Sequence, residues 1–236
     1  MPAWHVSWEQ GATSAWSVWH KSPRPLRQPC GCVFRFGARI RFVTDPGLSL
    51  DDDIRWQRLV RTGIVCATCG QTHRGLFDLA VDGPEPWPGE REHEPNSAVT
   101  GRTHILTEDF CINDGRDYFV RCVLQLPIVG AVEEFFGYGV WSTLSSANFA
   151  RYVDTFDSGE QGQLGPWFGW FSNRLKGYPD TMNLKCKVHP RSGRQRPFIE
   201  LEPTDHPLAI EQHNGITVDR LFEILSINGH DLGVQR

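Results

Sequence analysis

The sequence predicts an α+β domain built mainly on an antiparallel sheet with short helices, opened by a zinc-knuckle-like segment. Three observations predict it. Residues 117–126 alternate, with Tyr118, Val120, Cys122, Leu124 and Leu126 on one face, and 135–144 follow as a second strand after a turn-forming stretch at 127–130, so the two read as an antiparallel pair. Residues 147–156 then switch to helical spacing, with Phe149, Tyr152, Val153 and Phe156 on one side. Upstream, Cys66-Ala-Thr-Cys69-Gly70-Gln-Thr-His73 places two thiols and an imidazole on a turn-forming segment, at spacings that tetrahedral zinc accepts.

Read in order, residues 1–60 form an irregular, flexible extension rich in Trp, Arg and Pro. Trp4, Trp8, Trp16, Trp19 and Trp56 recur there with no sustained period, and KSPRPLRQP at 21–29 is a linker composition. A start assigned upstream of the true one would give the same pattern. Within this stretch Asp51-Asp52-Asp53 leads into IRWQRLVR, a short helix with acid at its start and base at its end. Residues 61–236 read as one α+β domain. Residues 82–95 (DGPEPWPGEREHEP) are too rich in Pro, Gly and Glu for a sheet interior. After the strand pair, Ser145 or Ser146 caps the helix. Residues 165–175, 182–189 and 196–202 are further strands. Pro207 opens a short helix that Gly215 ends, and Thr217 caps a last helix with the stripe Val218, Leu221, Phe222 and Leu225.

Composition narrows the function classes. The 236 residues carry a net charge of −4, so no nucleic-acid footprint exists at whole-chain level. Residues 1–61 are net +4 and the remainder −8. An aromatic and basic arm that tracks nucleic acid is therefore a weaker reading than a plain extension. No apolar run reaches the roughly 18 residues of a membrane span, and the N-terminus lacks the layout of a signal peptide. The expectation is a soluble, cytoplasmic protein whose seven cysteines are thiols or metal ligands.

The segments CATCGQTHRGL, DFCIND, YFVRC, LPIVG, GYGVWSTLS, WFGWFSNRLKGYPDTMNLKCKVH and RPFIELEPTDHPLAIEQHNGI resemble a bacterial family catalogued as a domain of unknown function, number 2199. The resemblance runs from about 64 to 225. It implies a soluble bacterial protein that begins close to the Cys-x2-Cys motif, and it assigns no activity. Cys30 and Cys32 fall outside it, so a four-thiolate site with Cys66 and Cys69 is a secondary idea.

Three clusters carry candidate chemistry. Cys66, Cys69 and His73 read as ligands of a structural zinc in preference to a redox dithiol, because Gly70 follows at once and no helix begins there. Cys111, in what reads as a polar turn at 109–114, is the preferred fourth ligand, followed by His104 and His206. Cys122 and Cys186 sit on apolar strand faces and read as small buried hydrophobes. With only three protein ligands, the fourth position would hold water and open Lewis-acid chemistry. The second cluster is Glu200, Glu202, Asp205 and His206, candidate catalytic residues for an acid–base or metal-assisted hydrolase; the alternative is two solvent-facing glutamates and a helix cap. The third groups Trp167, Trp170, Asn173, Arg174, Tyr178, Asp180 and Asn183, of which Trp170, Tyr178 and Asp180 are candidate ligand-binding residues for a peptide, sugar or base. His189 reads as a solvated surface residue. The reading that combines these is a zinc-stabilised module binding a protein or small molecule.

Overall fold

The computed structural model describes residues 50–131 and 134–233. The part of the expected 1–60 extension that precedes residue 50, with Cys30 and Cys32, lies outside the described residues. From Leu50 the chain is already folded. A 3-10 turn at Leu50–Asp52 leads to α1, Ile54–Gln57, and one wider turn at Arg58–Thr62. Asp53 caps this helix by accepting from the Arg55 and Trp56 amides, and its carboxylate also pairs with the Arg55 guanidinium at 2.6 Å. Trp56 and Leu59 are buried in the core, upstream of residue 61.

The centre of the domain is the antiparallel pair β6, Asp117–Pro127, and β7, Phe135–Leu144, in register from Tyr118 opposite Leu144 to Pro127 opposite Phe135. Before it come β1, Ile64–Val65; β2, Thr72–His73; β3, Leu79–Ala80; β4, Ile105–Leu106; and β5, Phe110–Asn113. After it come α2, Ser146–Phe156; β8, Trp167–Trp170; β9, Lys185–His189; β10, Phe198–Leu201; α3, Pro207–Asn214; and α4, Val218–Ile227. β1 and β2 form a separate hairpin. The large sheet runs β3-β7-β6-β10-β9-β8, with β5 sharing the β6 edge ahead of β10 and β4 beyond β5. Among the described residues six strand pairs are antiparallel, whereas β3 with β7 and β10 with β6 are parallel. The class is thus α+β with a mixed sheet.

Val120, Cys122, Leu124 and Leu126 face the main core, where Leu208, Leu221, Ile224 and Leu225 from α3 and α4 join them. The other face is covered as well. Leu106, Cys111, Phe119 and Trp141 make a second cluster, with Trp87 of the Pro-rich loop packed on it. Burying both faces explains why β7 is nearly all apolar where a half-exposed strand would alternate.

Four local departures from the sequence reading have physical causes. Residues 109–114 are no exposed turn: β5 is a strand, Cys111 is fully buried opposite Leu106 and Phe119, and Asp109 is taken inside by Arg196 at 2.6 Å and Asn96 at 2.7 Å. The strand expected over 165–175 is complete by Trp170. Beyond it the buried Asn173 accepts from the Trp141 amide and donates to the Gly83 carbonyl, holding a loop. The next strand starts three residues late because Asn183 takes a left-handed conformation, φ 59°. His189 is not free in solvent; it contacts Glu200 at 3.0 Å and stacks on Phe198. The caps match their expectations. The Ser145 hydroxyl accepts from Asn148, and Thr217 accepts from Arg220.

After β8 the sheet curls back, since Phe171 bridges to Ser142 of β7. Gly169 makes this approach possible: a Cβ there would stand 2.3 Å from Ser142 Oγ and 2.6 Å from the Thr143 carbonyl. Gly169→Ala is expected to lower the urea midpoint, with a loss of about 1–3 kcal/mol from overpacking. The half-exposed neighbour Phe168 provides the contrast, Phe168→Ala shifting stability by about 0.5 kcal/mol.

Candidate metal centre

The β1–β2 hairpin closes through the turn that carries the thiols. Ile64 pairs with His73 and Val65 with Thr72. Between them Cys66 donates its amide to the Gln71 carbonyl at 2.8 Å, and Gly70 donates to the Cys66 carbonyl at 2.9 Å. Gly70 has φ 71°, a left-handed residue that tightens the turn without a Cβ penalty. The backbone amide of Cys69 points at Cys66 Sγ, 3.4 Å away. That donor stabilises a thiolate and draws the Cys66 thiol below its usual pKa.

The fourth ligand-bearing residue comes from the other end of the domain. α4 ends at Ile227, the turn at Asn228 and Gly229 reverses the chain, and His230 donates its amide to the Leu225 carbonyl at 2.8 Å. The next residue docks on the thiol turn itself: the Ala67 amide donates to the Asp231 carbonyl at 2.7 Å, and the Asp231 amide to Thr68 Oγ1 at 3.4 Å. One ligand atom from each of Cys66, Cys69, His73 and His230 then lies within 4.8 Å of the other three. No second group of three or more Cys, His, Asp or Glu residues converges in this way among the described residues.

The rings are fixed from behind. His73 stacks on Phe77 at 4.2 Å, and His230 stands edge-on to both rings at 5.2 Å. Cys69 Sγ is 3.3 Å from His73 Nε2. Burial, followed by the nearby His230, lowers the His73 pKa from 6.5, so its neutral, ligand-competent form is favoured. His230 Nδ1 is buried and makes no hydrogen bond. Such an orphan costs about 1–3 kcal/mol.

Tetrahedral zinc with sulfur at about 2.3 Å and nitrogen at about 2.0 Å holds its ligand atoms roughly 3.3–3.8 Å apart. The four side chains need only a small contraction to meet that geometry. Two thiolates and two neutral imidazoles match the charge of a divalent cation, and four protein ligands leave no open position for water.

Cys111 is not part of this group. Its thiol lies in the Trp141 cluster, and burial pushes it up to about 12, opposite to what a thiolate ligand requires. Burial raises the thiols of Cys122 and Cys186 too. His104 stacks on Trp87 and pairs with Asp114. His230 escaped sequence reasoning because no local motif marks it; the available signal was an imidazole directly after Gly229, on the bend that ends α4.

The remaining candidates are occupied elsewhere. Glu200 bonds His189, and Glu202 lies one residue past β10, its amide donating to the Lys185 carbonyl at 2.9 Å. Asp205 is exposed. His206 caps α3, its Nδ1 accepting from the Leu208 amide at 3.1 Å. Tyr178 donates to Glu211 and lies under Arg220, while Asp180 accepts from Met182 and pairs with Arg174. Trp167 and Asn173 are buried, whereas Trp170 is 39% exposed and edge-on to Phe168, which is 49% exposed.

A family model described as an uncharacterized protein conserved in bacteria (DUF2199) matches residues 65–216. No curated protein matches the chain. No solved structure does either. Among the described residues, no helix is long and apolar enough to cross a membrane.

Because His73 titrates lower folded than unfolded, metal-free protein gains stability above pH 6.5 that is lost as pH falls through 6.5 toward the folded value. Denaturation of chelator-treated protein at stepped pH is expected to show that loss, and His73→Gln to flatten it.

Proposed function

The chain belongs to this family of uncharacterised bacterial proteins, and from that premise we propose that it is a binding module whose fold is held by a structural zinc ion. Cys66, Cys69, His73 and His230 are the ligands. The observation that carries this reading is the convergence of their four ligand atoms within 4.8 Å, drawn from opposite ends of the domain. A Cys2His2 set closes the tetrahedron, which suits stabilisation and not Lewis-acid catalysis. The ion would also satisfy the orphan nitrogen of His230. Its contribution to folding is on the order of 10 kcal/mol, spent on a hairpin with two short strands and little core of its own.

The binding role rests on the outer face of β8 and β9. Phe168 and Trp170 stand half-exposed there, opposite Lys187 and Lys185. Flat rings beside mobile ammonium groups suit a protein or small-molecule ligand. The bacterial cytosol is the fitting compartment, since its reducing poise keeps both ligand thiols free.

Protein purified without chelator is expected to carry one zinc per chain by elemental analysis. Cys66→Ser and His230→Ala should each lose the metal and lower the melting temperature, while Cys111→Ala keeps the zinc. Zinc-free protein with unchanged melting would overturn the proposal. Trp170→Ala is expected to retain zinc and melting temperature, as a binding-face residue should.

A further inference from the structure

The two thiols of the metal centre differ sharply in access. Cys66 is 1% exposed and accepts the Cys69 amide, whereas the Cys69 side chain is open to solvent beside His73. Their sulfurs lie within 4.8 Å, on a turn where nothing intervenes but Ala67 and Thr68. One sulfur is placed to meet a reagent and the other to resolve the product. The remaining described cysteines, Cys111, Cys122 and Cys186, are buried.

Resting on the zinc reading, we propose that Cys69 is an oxidation site for hydroperoxides, and that its reaction expels the metal and frees the C-terminal segment from the hairpin. The Cys69 thiolate attacks one oxygen of hydrogen peroxide. An S–O bond forms, the O–O bond breaks, and the departing hydroxide leaves as water after taking a proton. The Cys66 thiolate then attacks the Cys69 sulfur. An S–S bond forms, the S–O bond breaks, and a second protonated hydroxide leaves as water. Two thiolates lose two electrons in all, one peroxide and two protons become two waters, and Zn2+ departs with two ligands gone. A neutral site becomes a bare cation facing two imidazoles, which cannot retain it. The contacts that hold Asp231 go to Ala67 and Thr68, the two residues between the thiols. Remodelling that turn therefore loosens the end of the domain as well as the metal.

Zinc-loaded full-length protein exposed to hydrogen peroxide would be followed with a chromogenic zinc chelator, peptide mass mapping and hydrogen exchange. The expected result is one zinc released per disulfide, the bond mapping to Cys66 and Cys69, with faster exchange over residues 228–233. Thiol reductant plus zinc should restore all three readouts. Cys69→His keeps four ligands and removes the reactive thiol, so its zinc release should slow at least about ten-fold. Zinc retained through peroxide treatment, oxidation mapped to other cysteines, or release from Cys69→His at the unaltered rate would each overturn this inference while leaving the structural zinc intact. A chain that takes up no zinc at all would instead overturn the metal reading on which it rests.

Discussion

The pairing of β6 with β7 is the constraint on which the rest of this domain depends. Ten residue pairs run without interruption, and apolar side chains project from both faces. A sheet buried on both sides needs two covers, and the chain supplies them by different means. Helices α2, α3 and α4 cover one face with their apolar side chains. On the other, the Pro-rich loop lays Trp87 against Leu106, Cys111, Phe119 and Trp141, with far less regular structure.

That second cover is held by buried polar groups as much as by apolar area. Arg196 with Asp109 and Asn173 with the Trp141 amide each fix a loop at one point. Such bonds stabilise modestly when made and cost a great deal when half broken. The arrangement therefore specifies one loop path over the sheet, since any other path leaves a charge or amide buried without a partner.

What could be read in the sequence follows the range of the interactions concerned. The β6–β7 pair, α2 with its Ser145 cap, and α3 and α4 with theirs all announce themselves through period and capping residues a few positions apart. The turn carrying Cys66 and Cys69, with His73 after it, was legible for the same reason. Burial of Cys111 was not. Its neighbours Asp109 and Asp114 suggested an exposed turn, and it is the distant Arg196, with Asn96, that brings Asp109 inside. The parallel contact of β10 with β6 also depends on a chain path that no local pattern encodes. His230 is the extreme case, an imidazole joined to its site by the reversal after α4.

That last connection has a consequence for how the chain is made. The hairpin leaves the ribosome early with two thiolates and one imidazole, and almost the whole domain must follow before His230 arrives. At about 5–20 residues per second that interval is on the order of ten seconds. Under the proposed zinc reading, the four-ligand site would therefore close only once synthesis has passed α4.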